Sequence, residues 1–214
     1  MPKITNMEYL KFLKGDFINY VDETHIKLAL ENINGSKHSA EAKCFLVYLY
    51  YTGARPSELL ELKGKDVIKK GKYYHLALIG KKRGNSRMII LKNNELTKIA
   101  FNHVSNVFPD FYLFSHFKSN RTYTTKYHLK DGTPKEKSYS CNSYIIKYHF
   151  QKWFKDVVDI PLYFLRHNRI SKLASEGISL TDLQQFKGSK TLASIQPYIH
   201  VSTHTAKRIA SKNK

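Results

Sequence analysis

From Ser39 to Tyr51 the chain runs Ser-Ala-Glu-Ala-Lys-Cys-Phe-Leu-Val-Tyr-Leu-Tyr-Tyr, polar at its start and then apolar on nearly every side. That is the pattern of a helix entering a core. Gly53 comes next, a residue suited to the left-handed position just past a helix C-terminus. Pro56 fits the first turn of a second, shorter helix carrying Leu59, Leu60 and Leu62. Arg55 therefore falls at a rigid corner. Upstream, Asp22 to Thr24 offer capping side chains for a helix whose apolar positions are Ile26, Leu28, Leu30 and Ile33. Residues 1–22 hold Tyr9, Leu10, Phe12, Leu13, Phe17 and Ile18 around Gly15 and read as a short arm or helix ahead of a domain spanning 23–214.

Beyond Asp66 the period changes. Val67-Ile68, Tyr73 to Ile79 and Arg87 to Leu91 alternate as strands, separated by Lys70-Gly71-Lys72 and by Gly80 to Ser86, and predict a small antiparallel sheet with a basic hairpin tip. Helical patterns return at Glu95 to Val107 and Ser143 to Val158. Between them Ser115 to Ser140 reads as a long loop or an extra hairpin. The final third predicts short helices: Leu165 to Glu176 closed by Gly177, Leu180 to Phe186 closed near Gly188, and Thr191 to Ile195. A basic stretch, Thr203 to Lys214, forms a last helix or tail. The fold class is α+β and mainly α.

Charge narrows the choice of partner. Lys and Arg number 36 against 17 Asp and Glu, a formal net charge of +19 on 214 residues. So basic a chain calls for a polyanion, whether DNA, RNA or an anionic membrane face. No apolar run approaches the roughly 20 residues that span a bilayer, and lysines and an aspartate interrupt the N-terminal segment where a secretory signal would be apolar. Cys44 and Cys141 are too few and too far apart to define a disulfide framework or a zinc site. An intracellular protein is expected, with no metal and no cofactor.

Three fragments bear on the chemistry: Thr52-Gly53-Ala54-Arg55-Pro56-Ser57-Glu58-Leu59-Leu60, then Tyr163-Phe164-Leu165-Arg166-His167, then Gln196-Pro197-Tyr198-Ile199-His200. Guanidinium groups stay protonated and present planar forks of donors that match a phosphate. Tyr198 is the sole tyrosine from Phe164 onward. In order and spacing these fragments resemble the catalytic domain of the tyrosine recombinase (phage-type integrase) family, over residues from about Thr24 to about Ala210.

The resemblance implies roles. Arg55 and Arg166 would clamp the scissile phosphate, Glu58 would orient Arg55 through an ion pair, and Tyr198 would be the nucleophile, with His200 completing a Tyr-x-His run. His167 matches a second recurring histidine with a structural part. Tyr163 stands where the family writes its first histidine; a phenol donates a hydrogen bond but is a poor general base near neutral pH. Ser189, in Lys187-Gly188-Ser189-Lys190-Thr191, stands where histidine or tryptophan is common, with Lys187 and Lys190 as neighbours able to share the phosphate contact. Lys81, with Lys82 as the other candidate, corresponds to the family's hairpin lysine, the general acid. Lys82, Arg83, Arg87, Lys187 and Lys190 are the expected DNA-backbone contacts.

The function that the resemblance implies is that of a site-specific recombinase or integrase acting on duplex DNA through a covalent 3′-phosphotyrosine. Two other readings stand beside it: a non-catalytic DNA-binding regulator on the same fold, and a type IB topoisomerase-like relaxing enzyme. The resemblance also implies a homo-oligomer, a tetramer on DNA, with residues 202–214 packing on a neighbouring protomer or contacting DNA. DNA affinity built on Lys and Arg should be steeply salt-dependent.

Overall fold

The computed structural model describes residues 21–80, 84–118, 122–129, 131–140 and 142–198. Helix α1 (Glu23–Ile33) opens on Asp22, whose carboxylate accepts from the backbone N–H groups of Thr24 (2.9 Å) and His25 (3.1 Å). It buries Ile26, Ala29, Leu30 and Ile33. Leu28, assigned from sequence to the apolar face, lies on the outer side; two steps of about 100° from Ile26 carry it round the helix, and Ala29 fills the inner position.

Helix α2 (Ser39–Thr52) is the central element, with every side chain from Cys44 to Thr52 buried. Phe45 packs edge-on against Phe114 at 5.0 Å and near Trp153 at 6.4 Å between ring centres. The helix ends where predicted, at Gly53 with φ 55°. Pro56 then opens the single turn α3 (Pro56–Leu59).

Strands β1 (Val67–Lys70), β2 (Tyr73–Leu78) and β3 (Arg87–Lys92) form an antiparallel sheet in that order, with Leu76 paired to both Val67 and Ile89. The inward face carries Tyr74, Leu76, Leu78, Ile89 and Leu91, while Met88 and Ile90 face outward. Helix α4 (Glu95–Val104) starts at Asn94, which caps the N–H of Thr97 at 2.9 Å. Of the two readings left open for residues 115–140, the hairpin is found: β4 (Thr122–His128) pairs with β5 (Pro134–Ser140) around Gly132.

Helix α5 (Asn142–Trp153) stops short of the predicted Val158, and three residues later Asp156 adopts φ 61°. Helix α6 (Phe164–Ser175) is followed by Gly177, and α7 (Leu180–Lys187), capped by Ser179, ends at Gly188 with φ 69°. Two 3₁₀ turns, Leu192–Ser194 and Gln196–Tyr198, complete the described chain. The fold is helices around α2 with a small antiparallel sheet, the α+β class read from the sequence. Residues 1–20 and 199–214, and with them His200, the arm and the tail, lie outside the described residues, as do Lys81, Lys82 and Arg83.

Candidate active site

The site is assembled by the corner between α2 and α3 meeting α6 and the end of α7. Arg55 caps α3, its backbone N–H donating to Glu58 Oε2 and its Nη1 to Glu58 Oε1, both at 2.9 Å. Glu58 is fully buried and also accepts from Arg87 Nη2 at 3.0 Å. Burial alone would raise the Glu58 pKa. The Arg87 hydrogen bond and charge, the Arg55 N–H and the Arg166 charge outweigh it and hold the carboxyl below its ordinary value. One carboxylate thus binds two guanidinium groups and feels the charge of a third, which leaves the cluster with excess positive charge.

Arg166, on the first turn of α6, is 2 % exposed. Its Nη1 donates to the carbonyl of Gly53, and its Nη2 to the carbonyl of Lys187 at 2.8 Å. The side chain therefore bridges the end of α2 to the end of α7. Arg166 Nε, Arg87 Nε and Nη1, and the Ser189 hydroxyl are buried without a hydrogen-bond partner among the described residues. Unsatisfied buried donors are costly, and a group of them beside a positive cluster is what an oxyanion would satisfy.

Tyr198 is 4 % exposed, and its ring stacks on His167 with centres 5.1 Å apart. His167 meets the half-exposed Tyr163 edge-on at 4.9 Å. Lys187 lies with its ammonium 4.8 Å from the Tyr198 ring centre and donates to the Ser194 carbonyl. Burial, then the Arg166 and Arg55 charges, bring its pKa down to about 8. Lys187 can thus hold or release a proton close to neutral pH.

His167 is moved further. Burial, then the charges of Arg166 and Lys187, lower its pKa to about 4, so the ring is neutral at pH 7. The unfolded chain takes up this proton near 6.5. The stability that the neutral ring contributes is complete above about pH 6.5 and is lost as the pH falls towards 4. Melting curves across that window should show the loss, and His167→Phe should flatten the profile relative to wild type. Parallel profiles for the two proteins would show that this ring is not the source.

Two sequence expectations change in kind. Arg87 was placed among the DNA-backbone contacts, yet its side chain is only 5 % exposed and binds Glu58. Lys187, also expected on the DNA-facing surface, is buried against Tyr198. The signal for Arg87 was present: it shares the period of two with Ile89 and Leu91, the inward face of β3. Lys190 is exposed, and Ser189 sits at the turn after α7, its carbonyl accepting from Gln184 Nε2 at 3.2 Å.

Gly188 is fixed by this packing. A Cβ there would fall 2.5 Å from Arg87 Nη1 and 2.9 Å from the Asn85 carbonyl oxygen, in a left-handed backbone. Gly188→Ala is expected to destabilise the fold by about 1–3 kcal/mol, read from urea unfolding midpoints.

The sequence model of the phage integrase family matches residues 19–205. No curated protein sequence matches the chain. Among solved structures, XerA recombinase is similar with a TM-score of 0.57 at 18% identity, over 91% of this chain and 63% of that one. XerH site-specific recombinase bound to difH substrate is similar with a TM-score of 0.61 at 17% identity, over 92% and 55%. The Tn1549 transposon integrase in complex with circular intermediate DNA gives 0.50 at 17% identity, over 100% and 67%. These likenesses show a shared fold, and the chain spans less than two thirds of the length of the first two. The family match takes in every described element from α1 to Tyr198, including the Arg55 corner and the first turn of α6 with Arg166, and the chain belongs to the phage integrase family.

Proposed function

We propose that this chain cleaves and rejoins duplex DNA as a site-specific recombinase or integrase, with Tyr198 as the nucleophile. The observation that carries the reading is the set of buried, unpartnered donors on Arg87, Arg166 and Ser189, in a cluster that also holds Arg55 and lies beside Lys187 and Tyr198. A phosphodiester supplies the acceptors those donors lack.

In the proposed reaction the Tyr198 oxygen attacks phosphorus, forming a phosphotyrosine bond as the bond to the 5′ oxygen breaks. The phenol loses its proton, and the departing 5′ oxygen gains one. The arginines stabilise charge growing on the non-bridging oxygens. Lys187, whose ammonium lies near the Tyr198 ring, is the proposed partner for the tyrosine proton, and Lys81 or Lys82 remains the proposed acid for the leaving oxygen. Tyr163 donates to phosphate from the site's exposed rim, while neutral His167 positions Tyr198 by stacking. Reversal by a 5′ hydroxyl reseals the strand without a nucleotide cofactor, because the phosphotyrosine retains the energy of the cleaved bond.

The relatives in DNA-bound structures support double-stranded DNA as the partner, and assembly as a homo-oligomer on DNA accords with the same reading. Among the described residues no helix is long and apolar enough to cross a membrane. The deciding experiment is covalent capture. The protein is mixed with nicked or randomised duplex DNA and denatured, and the trapped peptide is sequenced. A DNA adduct on Tyr198 is expected. DNA binding with no adduct would favour the regulator, for which Tyr163 and Ser189 in place of the family's usual residues speak. Relaxation of any supercoiled plasmid would favour a topoisomerase.

A further inference from the structure

Away from the arginine cluster, at the opposite end of α2, three metal-ligating side chains converge. His38 immediately precedes α2, Glu41 lies in its first turn, and His116 sits in the 3₁₀ turn Ser115–Phe117. One ligand atom from each lies within 4.8 Å of the other two. The imidazoles of His38 and His116 stack with centres 3.4 Å apart. Glu41 is 4 % exposed, and its carboxylate accepts from the His116 backbone N–H at 2.9 Å and from His116 Nδ1.

We propose that His38, Glu41 and His116 form a binding site for a divalent transition-metal ion of the zinc type, which staples the 3₁₀ turn to the start of α2. Two imidazoles and a carboxylate are a donor set suited to such ions. Ligand bonds of about 2.0–2.2 Å bring tetrahedral donors to within about 3.5 Å of one another. The widest of these separations must shorten and the His116–Glu41 contact must open, both by rotation of side chains. His116 is half-exposed and His38 carries no capping hydrogen bond, so both rings can turn. The ion takes the place of the proton between His116 and Glu41, and its charge offsets the buried carboxylate. A cleft of about 490 Å³, lined by His38, His116, His149 and Trp153, leaves room for a water as fourth ligand.

The consequence is mechanical. The turn at His116 leads into the β4–β5 hairpin, and α2, 14 residues long, ends next to the Gly53–Arg55 corner. An ion at this end sits about 20 Å along the helix from that corner. It steadies the frame without touching the phosphate-binding cluster, so the proposal stands independently of the reading of Tyr198.

The test uses the full chain, stripped with a chelator and titrated with Zn²⁺ by calorimetry. One equivalent should bind with a dissociation constant of about 10 μM or tighter, and saturating zinc should raise the melting temperature. Trp153, the chain's sole tryptophan, lines the same cleft, so Cu²⁺ or Ni²⁺ should quench its fluorescence and Zn²⁺ should compete. His38→Ala and His116→Ala should each weaken zinc binding by at least about tenfold, whereas His75→Ala, on β2, should leave it unchanged. Melting without metal checks that each variant folds. If His116→Ala is misfolded, His38→Ala decides. Undiminished one-to-one binding in His38→Ala, or no saturable binding below about 1 mM, would overturn the site.

Discussion

Tyr198→Phe is expected to form no covalent adduct with DNA while folding and binding duplex as the wild type does. The substitution removes one oxygen and keeps the ring. The phenyl group retains the stack on His167 and the Lys187 ammonium near its face, so the cost in stability is about 0.5–1.5 kcal/mol, the net worth of one hydrogen bond. The arginines proposed to contact phosphate are untouched, and the DNA dissociation constant should change less than about threefold, or about 0.7 kcal/mol. Denaturing gels, mobility shifts and thermal melts separate the three quantities. An adduct persisting in the variant would move the nucleophile to another tyrosine. Loss of DNA binding together with the adduct would mean that the hydroxyl holds the phosphate rather than attacking it.

Glu58→Ala should produce the largest loss of stability, about 3–5 kcal/mol, because it strips a buried ion pair of one partner and leaves two guanidinium groups without their counter-charge. Both carboxylate oxygens are engaged in a fully buried position, one by the Arg55 guanidinium and one by that of Arg87. Glu58→Gln keeps the shape and loses the charge, so it should fall between wild type and Ala. Because the folded carboxyl titrates below its ordinary value, the stability it contributes is complete above the unfolded value of about 4.3 and is lost as the pH drops through the lower folded value. Urea unfolding at pH 7 measures the first effect, and its pH dependence below 5 measures the second. A loss under about 1 kcal/mol at pH 7 would show that the arginines are held by other groups.

The helices were the most legible elements in the sequence because their stops carry chemistry. Gly53 and Gly188 adopt the left-handed conformation their positions implied, and Asp22 caps α1. The end of α5 was less visible, since Phe154, Val157 and Val158 are apolar and buried, yet the backbone leaves the helix at Trp153. Apolar character alone does not distinguish a helical residue from one packed beyond its end. For the site, the sequence placed Arg55 with Glu58, Arg166, and Tyr198 in three separate fragments, and the fold brings them into one neighbourhood. The inward turn of Arg87 was written in the period of two that it shares with Ile89 and Leu91, whereas nothing in the pattern marked Lys187, because a lysine in a basic chain is by default a surface group. Nor could spacing reveal His38, Glu41 and His116 as neighbours: His116 is 75 residues from Glu41, and only tertiary contact joins them.

The Arg166 bridge between the carbonyls of Gly53 and Lys187 has a consequence for how such proteins lose activity over time. Because the arginine proposed to bind phosphate is also a tie between two parts of the fold, a change there costs stability along with any chemistry. Tyr198 is packed as well, but phenylalanine would keep its ring on His167 and beneath Lys187. A lineage drifting from the proposed strand exchange to mere occupancy of DNA would therefore keep Arg166 and lose the tyrosine hydroxyl, so the position of the proposed nucleophile is the first to inspect when judging whether a related chain is still an enzyme.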